Sequence, residues 1–291
     1  MNMETKRAIE LNNQGARHFL NGEFEQAVSC YEEAYKLYPE NTSLLNNMGL
    51  YYHQQKDFEK AVAYFEQAIA LEDKASYRIN AGNAMAMQGK LDEARKQYQA
   101  TAKKFPKAVG AWLSLARLAT HQNRLEDAKA YWNEVVQLAP KPDHYLQLAK
   151  VMILQKDMEP ALELLYAIVT KSENPETWFH IGRCEFHLRN HGLAENALKK
   201  ALASSPDHAE FRYYLAINHL AKGDTQEGLA QLDILLKYDS ENPEILTEKG
   251  VILSSIHRYE EALSLFDKAL KIKPGFSKAQ HYKNLVENQT S

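Results

Sequence analysis

Residues 42–74 read TSLLNNMGLYYHQQKDFEKAVAYFEQAIALEDK, and this stretch decides the fold. Leu45, Met48, Gly49 and Tyr52 fall at helical spacing, as do Ala61, Phe65 and Ala68 after a break at Asp57. The small residue of the first run recurs along the chain as Gly15, Gly49, Gly82, Ala116, Ala149, Gly182, Ala216 and Gly250. Twelve residues after each comes Ala27, Ala61, Ala94, Ala128, Ala161, Ala194, Gly228 or Ala262. A period of 33 or 34 residues kept up for most of 291 means stacked two-helix units, not one globular core.

Aligned on those positions, the units run 8–41, 42–74, 75–108, 109–141, 142–174, 175–208, 209–242 and 243–276, and residues 277–288 read as a final amphipathic capping helix. Repeat 8 carries the same signature as Leu246, Gly250, Leu253, Ala262, Phe266, Ala269 and Pro274, while repeats 4 and 6 add Trp112 and Trp178. On these residues the chain resembles the tetratricopeptide repeat (TPR) family along almost its whole length. The resemblance implies an all-α fold, a right-handed α-solenoid of about eight helical hairpins in one continuous domain.

Gly or Ala in the first helix and Ala in the second allow close approach of two helices. The large residue four positions after the second of these (Tyr31, Phe65, Tyr98, Trp132, Leu165, Leu198, Leu232, Phe266) is expected to fill the space between neighbouring units. Asn174-Pro175-Glu176 and Asn242-Pro243-Glu244 supply a cap, a proline in the first turn and an acid at the positive end of the dipole. Gly22, Gly89 and Gly223 fall at the inter-helix turns, and Asp57, Asp157, Asn190 and Asp224 are expected to cap the second helices. Several positions depart from the family pattern. Arg78 and Arg212 replace the Trp; His18, Glu185 and His219 replace a Tyr; Asp73, Glu173 and Ser240 replace the closing Pro. Glu185 is costly if buried unpaired, with Arg212 or His219 as expected partners.

A net charge of −3 without a basic run argues against nucleic-acid binding. Two separated cysteines, Cys30 and Cys184, argue against a disulfide framework and favour a reducing, cytoplasmic setting. No run of 18 apolar residues is present, so membrane insertion is not expected. The chain contains no His-Glu-x-x-His, Cys-x-x-Cys, Gly-x-Ser-x-Gly or Gly-x-Gly-x-x-Gly, so neither an enzyme nor a cofactor is expected. His180, Cys184, His187 and His191 form a stripe of ligand-type residues on one helix, but four donors along one helix cannot converge on one ion, and no metal is expected.

The TPR resemblance implies a groove lined by the first helices that grips extended or helical peptides. Arg117, Lys150 and Arg183 occupy one slot in three successive repeats, a basic ladder flanked by His121 and His187. Phe179, Phe186 and Tyr213 stand beside it as apolar anchors, which suits a partner peptide or helix with acidic and apolar residues. The alternative is that each cation pairs with Asp143, Glu176 or Glu210 at neighbouring helix starts. Asn13, Asn47 and Asn80 share another slot, with Asn83 nearby. They resemble the asparagine ladder of the TPR region of O-linked N-acetylglucosamine transferase, which implies backbone gripping. The Lys/Asn/Arg carboxylate clamp of chaperone-tail-binding TPR domains is absent, its slots being filled by Asn12, Ala16, Asn47, Ser76 and Asn80. The leading expectation is a non-enzymatic protein-interaction adaptor. A self-assembling homo-oligomeric scaffold, or the targeting region of a larger enzyme such as a glycosyltransferase, are the alternatives.

Overall fold

The computed structural model describes residues 2–170 and 174–290; Glu173, expected in place of a closing proline, lies outside them. The described residues form helices joined by short turns, with no strand among them. The chain divides into two compact units, one ending at Val151 and one beginning at Met152. The first holds α1 (Met3–Leu20), α2 (Phe24–Leu37), α3 (Thr42–Gln54), α4 (Phe58–Leu71), α5 (Ala75–Met87), α6 (Leu91–Lys104), α7 (Val109–His121), α8 (Leu125–Leu138) and most of α9 (Pro142–Leu154). The second holds α10 (Met158–Val169), α11 (Pro175–His187), α12 (His191–Ser204), α13 (Ala209–Lys222), α14 (Thr225–Tyr238), α15 (Pro243–Ser255), α16 (Tyr259–Ile272) and α17 (Ser277–Thr290). Within each unit, helices pack in antiparallel hairpins laid side by side, the α-solenoid architecture.

The core repeats with the sequence. Ala27, Ala61, Ala94, Ala194 and Ala262 are all fully buried. The large residue four positions later packs against the next hairpin as expected, Tyr31 with Leu44 and Met48, Phe65 with Ala81 and Ala84, and Tyr98 with Ala111 and Leu115, and it also covers the small residue of its own hairpin. A Cβ placed on Gly15 would lie 2.6 Å from the Tyr31 ring, one on Gly49 2.5 Å from Phe65, and one on Gly82 2.5 Å from Tyr98. The second unit repeats this with Gly182 under Leu198 and Gly250 under Phe266. The glycine therefore makes room for a ring from the partner helix. Gly228, which stands where the other repeats have Ala, is instead covered by Leu220 of α13.

The turn inside each hairpin places one residue in the left-handed region, at Gly22, Lys56, Gly89, Asn123, Lys156, Arg189, Gly223 and His257. This residue reverses the chain in a turn too short for any other route. Only three of the eight are glycine, so a side chain at the other sites bears a backbone cost. Lys56→Gly is expected to raise stability by ~0.5 kcal/mol, because the relief of strain exceeds the added unfolded-state entropy. Gly223→Ala is expected to lower it, and urea titrations of both variants check the opposite signs.

The caps divide into two groups. Asn41, Asn174 and Asn242 accept backbone N–H bonds from Ser43 and Leu44, from Glu176 and from Ile245, and Asp57 accepts from Lys60. Asp157, Asn190 and Asp224 hold the cap position but accept no such bond. For two of these the reason lies five residues upstream, at the replaced Tyr. Asn190 donates to buried Glu185 at 2.8 Å, and Asp224 faces His219 at 3.6 Å. In the first hairpin, His18 pairs in the same way with Glu23, the residue before α2. Glu185 receives its second hydrogen bond from Tyr166 at 2.8 Å, so neither Arg212 nor His219 is its partner. Burial, then the bond to Glu185, pushes the Tyr166 phenol up to about 12.

The other departures also compensate one another. Arg78, in a Trp slot, clasps Asp73, in a Pro slot, with both Nε and Nη2, and Lys104 joins the same carboxylate. Those two cations hold the Asp73 carboxyl far below the usual range. Trp112 donates its indole N–H to the Pro106 carbonyl at 2.9 Å, and Arg212 in the corresponding slot donates to the Pro206 carbonyl. A guanidinium thus reproduces the hydrogen bond of the indole it replaces.

Candidate partner-binding surface

First helices of successive hairpins touch one another within each unit: α1, α3, α5 and α7 in the first, and α11 and α13 in the second. Arg117 on α7 and Lys150 on α9 belong to the first unit, and Arg183 on α11 belongs to the second. Arg117 is exposed and Arg183 half-buried, and neither has an ion-pair partner among the described residues. Glu176, one of the acids expected to neutralise the ladder, lies 3.7 Å from His180.

Around Arg183 the geometry is specific. Its guanidinium carbon sits 5.6 Å from the centroid of Phe179 and 5.3 Å from that of Tyr214. Its Nε is buried without an acceptor. The cation therefore rests against a pair of rings that themselves meet edge to face at 5.3 Å, and no carboxylate among the described residues pairs with it. Burial first, and then the Arg183 charge, lower the pKa of His187, which lies exposed one turn further along α11. Phe186 stands edge-on to Tyr214 at 6.3 Å, to His187 at 5.5 Å and to His191 at 5.7 Å. Tyr213 is half-buried and meets Tyr214 edge-on.

Phe179 does not stand open as an anchor. It is only 2 % exposed, stacked on Phe211 at 4.5 Å, so a partner would meet Arg183 and Tyr214 while Phe179 forms the wall beneath. Tyr214, which sequence reasoning passed over, is the residue that completes this arrangement. Its position directly after Tyr213 was the available signal.

The asparagines of the first unit bond to each other. Asn47 donates to Asn12 at 2.9 Å, and Asn80 donates to Asn46 at 2.9 Å. Asn83 accepts from the Tyr98 hydroxyl at 2.7 Å, and Asn13 is exposed. An amide has two N–H groups and an oxygen with two lone pairs, so Asn47 and Asn80 each keep hydrogen-bonding capacity beyond the bond that fixes them. His121 is exposed at the end of α7.

The ligand-type stripe of α11 does not form a cluster. Cys184 is fully buried, and burial pushes its thiol up to about 12, which keeps it protonated. His191 faces Asn218 at 3.0 Å. Among the described residues, the one His/Cys/Asp/Glu group compact enough to hold an ion is Glu195, His219 and Asp224. The Lys222 ammonium already stands there, 2.7 Å from Glu195 and 2.8 Å from Asp224. With Lys199, it lowers the Glu195 pKa to about 2. The cation this group holds is its own lysine.

Hairpins of this geometry, with a small residue under a large one and first helices side by side, define a helical-repeat protein of the tetratricopeptide class. The chain belongs to that family: residues 95–287 match the family model described as cilia and flagella-associated protein 70 C-terminal domain, and residues 7–74 and 79–108 match tetratricopeptide repeat models. It is 21% identical over 202 residues to the peroxisomal targeting signal receptor of Saccharomyces cerevisiae, covering 66% of this chain and 33% of the receptor. The chain thus spans about a third of that relative's length. Its fold is similar to that of a tetratricopeptide repeat protein from Parabacteroides merdae (TM-score 0.61, 16% identity, 84% of this chain and 98% of that one). It is also similar to YrrB, described as a TPR protein with an unusual peptide-binding site (TM-score 0.52, 21% identity, 64% and 97%). Among the described residues no helix is long and apolar enough to cross a membrane.

Proposed function

We propose that this chain is a non-enzymatic adaptor that holds an acidic and apolar segment of a partner protein against its first helices. The observation that carries the reading is Arg183, resting against the rings of Phe179 and Tyr214 with no carboxylate partner among the described residues. A guanidinium desolvated on one side and unneutralised on the other gains from an incoming carboxylate. Phe186 and Tyr213 supply apolar area beside it, and His187 adds a polar edge. In the first unit, Arg117, Lys150 and His121 add further basic side chains, and Asn13, Asn47, Asn80 and Asn83 suit a peptide backbone. The names of the relatives agree with such a role, one being a targeting-signal receptor and another having a peptide-binding site.

Substituting Arg117→Glu, Lys150→Glu and Arg183→Glu together tests this. All three side chains lie at least partly in solvent, so the variant should keep its helical circular dichroism and its melting profile. Proteins captured from an extract of the native source by the unaltered chain should fall by roughly tenfold or more in the variant, the equivalent of ~1.4 kcal/mol or more. Equal capture by a folded variant refutes the assignment.

A further inference from the structure

The second unit carries another recess, of opposite character to the arginine site. Between the start of α13, the end of α14 and the start of α15 lies a cleft of about 260 Å³ with Tyr213, Leu235 and Ile245 on its walls. Its rim is acidic, formed by Asp207, Glu210 and Asp239. None of these three carboxylates has a cationic partner among the described residues. Asp207 accepts from the Tyr238 hydroxyl at 2.7 Å, and Asp239 accepts from the Asn242 amide at 3.1 Å. Of the cations close by, Arg212 is turned to Gln231 and the Pro206 carbonyl, and Lys268 donates to the Ser240 carbonyl at 2.9 Å.

This lining is not a general consequence of stacking hairpins. At the equivalent place between α1, α2 and α3 the recess has Ile9 and Tyr38 but a single acid, Glu40, and is otherwise lined by Asn12, Asn13, Asn41, Thr42 and Ser43. Here Tyr238 is 65% exposed beside the opening, an aromatic face that nothing in the fold covers. The cleft is smaller than the ~300–1,000 Å³ of small-molecule pockets, and its size suits one side chain.

We infer that this cleft receives a single large apolar side chain from a protein segment in which that residue is flanked by lysine or arginine. The apolar side chain would bury against Tyr213, Leu235 and Ile245, while its cationic neighbours reach Asp207, Glu210 and Asp239. Three unneutralised carboxylates around an apolar floor repel an acidic segment and reward a basic one. The preference is thus the reverse of that proposed for Arg183; the two surfaces share Tyr213, but the charges of one take no part in the other.

Three acetylated and amidated pentapeptides test the inference: Gly-Arg-Phe-Arg-Gly, Gly-Ser-Phe-Ser-Gly and Gly-Glu-Phe-Glu-Gly, titrated into the full chain at low salt. Methyl NMR signals of Ile245 and Leu235 should shift with the arginine peptide. Its affinity should exceed that of the serine peptide by roughly tenfold, and the glutamate peptide should bind weakest. The margin should shrink as salt screens the rim. The surface variant Glu210→Lys with Asp239→Lys should invert the order while leaving the melting profile unchanged. Equal affinities for the three peptides, unmoved Ile245 and Leu235 methyls, or an order unaltered in the variant would each overturn the assignment.

Discussion

Gly49→Val should destabilise the chain by about 3 kcal/mol or more, although the same change in most helices is nearly neutral or favourable. The position is the second-helix-facing side of α3, where a Cβ would stand 2.5 Å from one Phe65 carbon and 2.6 Å from the next. Phe65 is fully buried and fixed by the buried residues around it, so the ring cannot withdraw. Gly49→Ala already forces that overlap and should cost more than the helix propensity it gains. Gly192, inside α12 with nothing within 4 Å of its Cβ position, is the control: there Gly→Ala should stabilise by a few tenths of a kcal/mol. Urea unfolding of the three variants gives the signs. A partial rescue is expected from Phe65→Leu placed with Gly49→Ala, because the hairpin of α13 and α14 pairs Ala216 with Leu232 in the same slots. Equal responses at Gly49 and Gly192 would remove the claim that the glycines exist to admit rings.

The second large effect concerns the buried carboxylate. Replacing Tyr166→Phe together with Asn190→Ala strips both donors from Glu185, a residue only 2% exposed. Leaving a buried carboxylate without donors costs ~3–5 kcal/mol. Glu185→Leu in the otherwise unchanged chain should cost under ~1.5 kcal/mol, because an apolar side chain of similar length removes the charge that needed the donors. Adding Glu185→Leu to the donor-less variant should restore most of its stability. Because helical repeats can unfold piecewise, hydrogen exchange across α10 to α12 is the measurement that locates the loss. A donor-less variant as stable as the parent at neutral pH would show that water replaces Tyr166 and Asn190 without cost.

These two cases mark where sequence reading reached and where it stopped. Period, hairpin count and turn positions are properties of residue spacing, so Gly15 to Gly250 and Ala27 to Ala262 placed the helices with no knowledge of coordinates. Side-chain partnership is different, because it depends on rotamers and on which of several nearby groups lies at the right angle. From spacing alone, Glu185 had Arg212 and His219 as candidate partners; the fold gives it Tyr166 and Asn190. Asn190 and Asp224 look like caps, yet the residue five positions upstream draws their side chains away from the helix N-terminus. Arg183 was legible as one of three recurring cations, but which aromatics lie against it was not. Phe179 turned inward onto Phe211, and Tyr214 took the outer face. A repeat written into the chain sets the backbone path, since helix contact needs only small residues at regular intervals. The competition among buried and half-buried side chains is settled only once neighbouring helices pack, and that competition decides what the surface offers a partner.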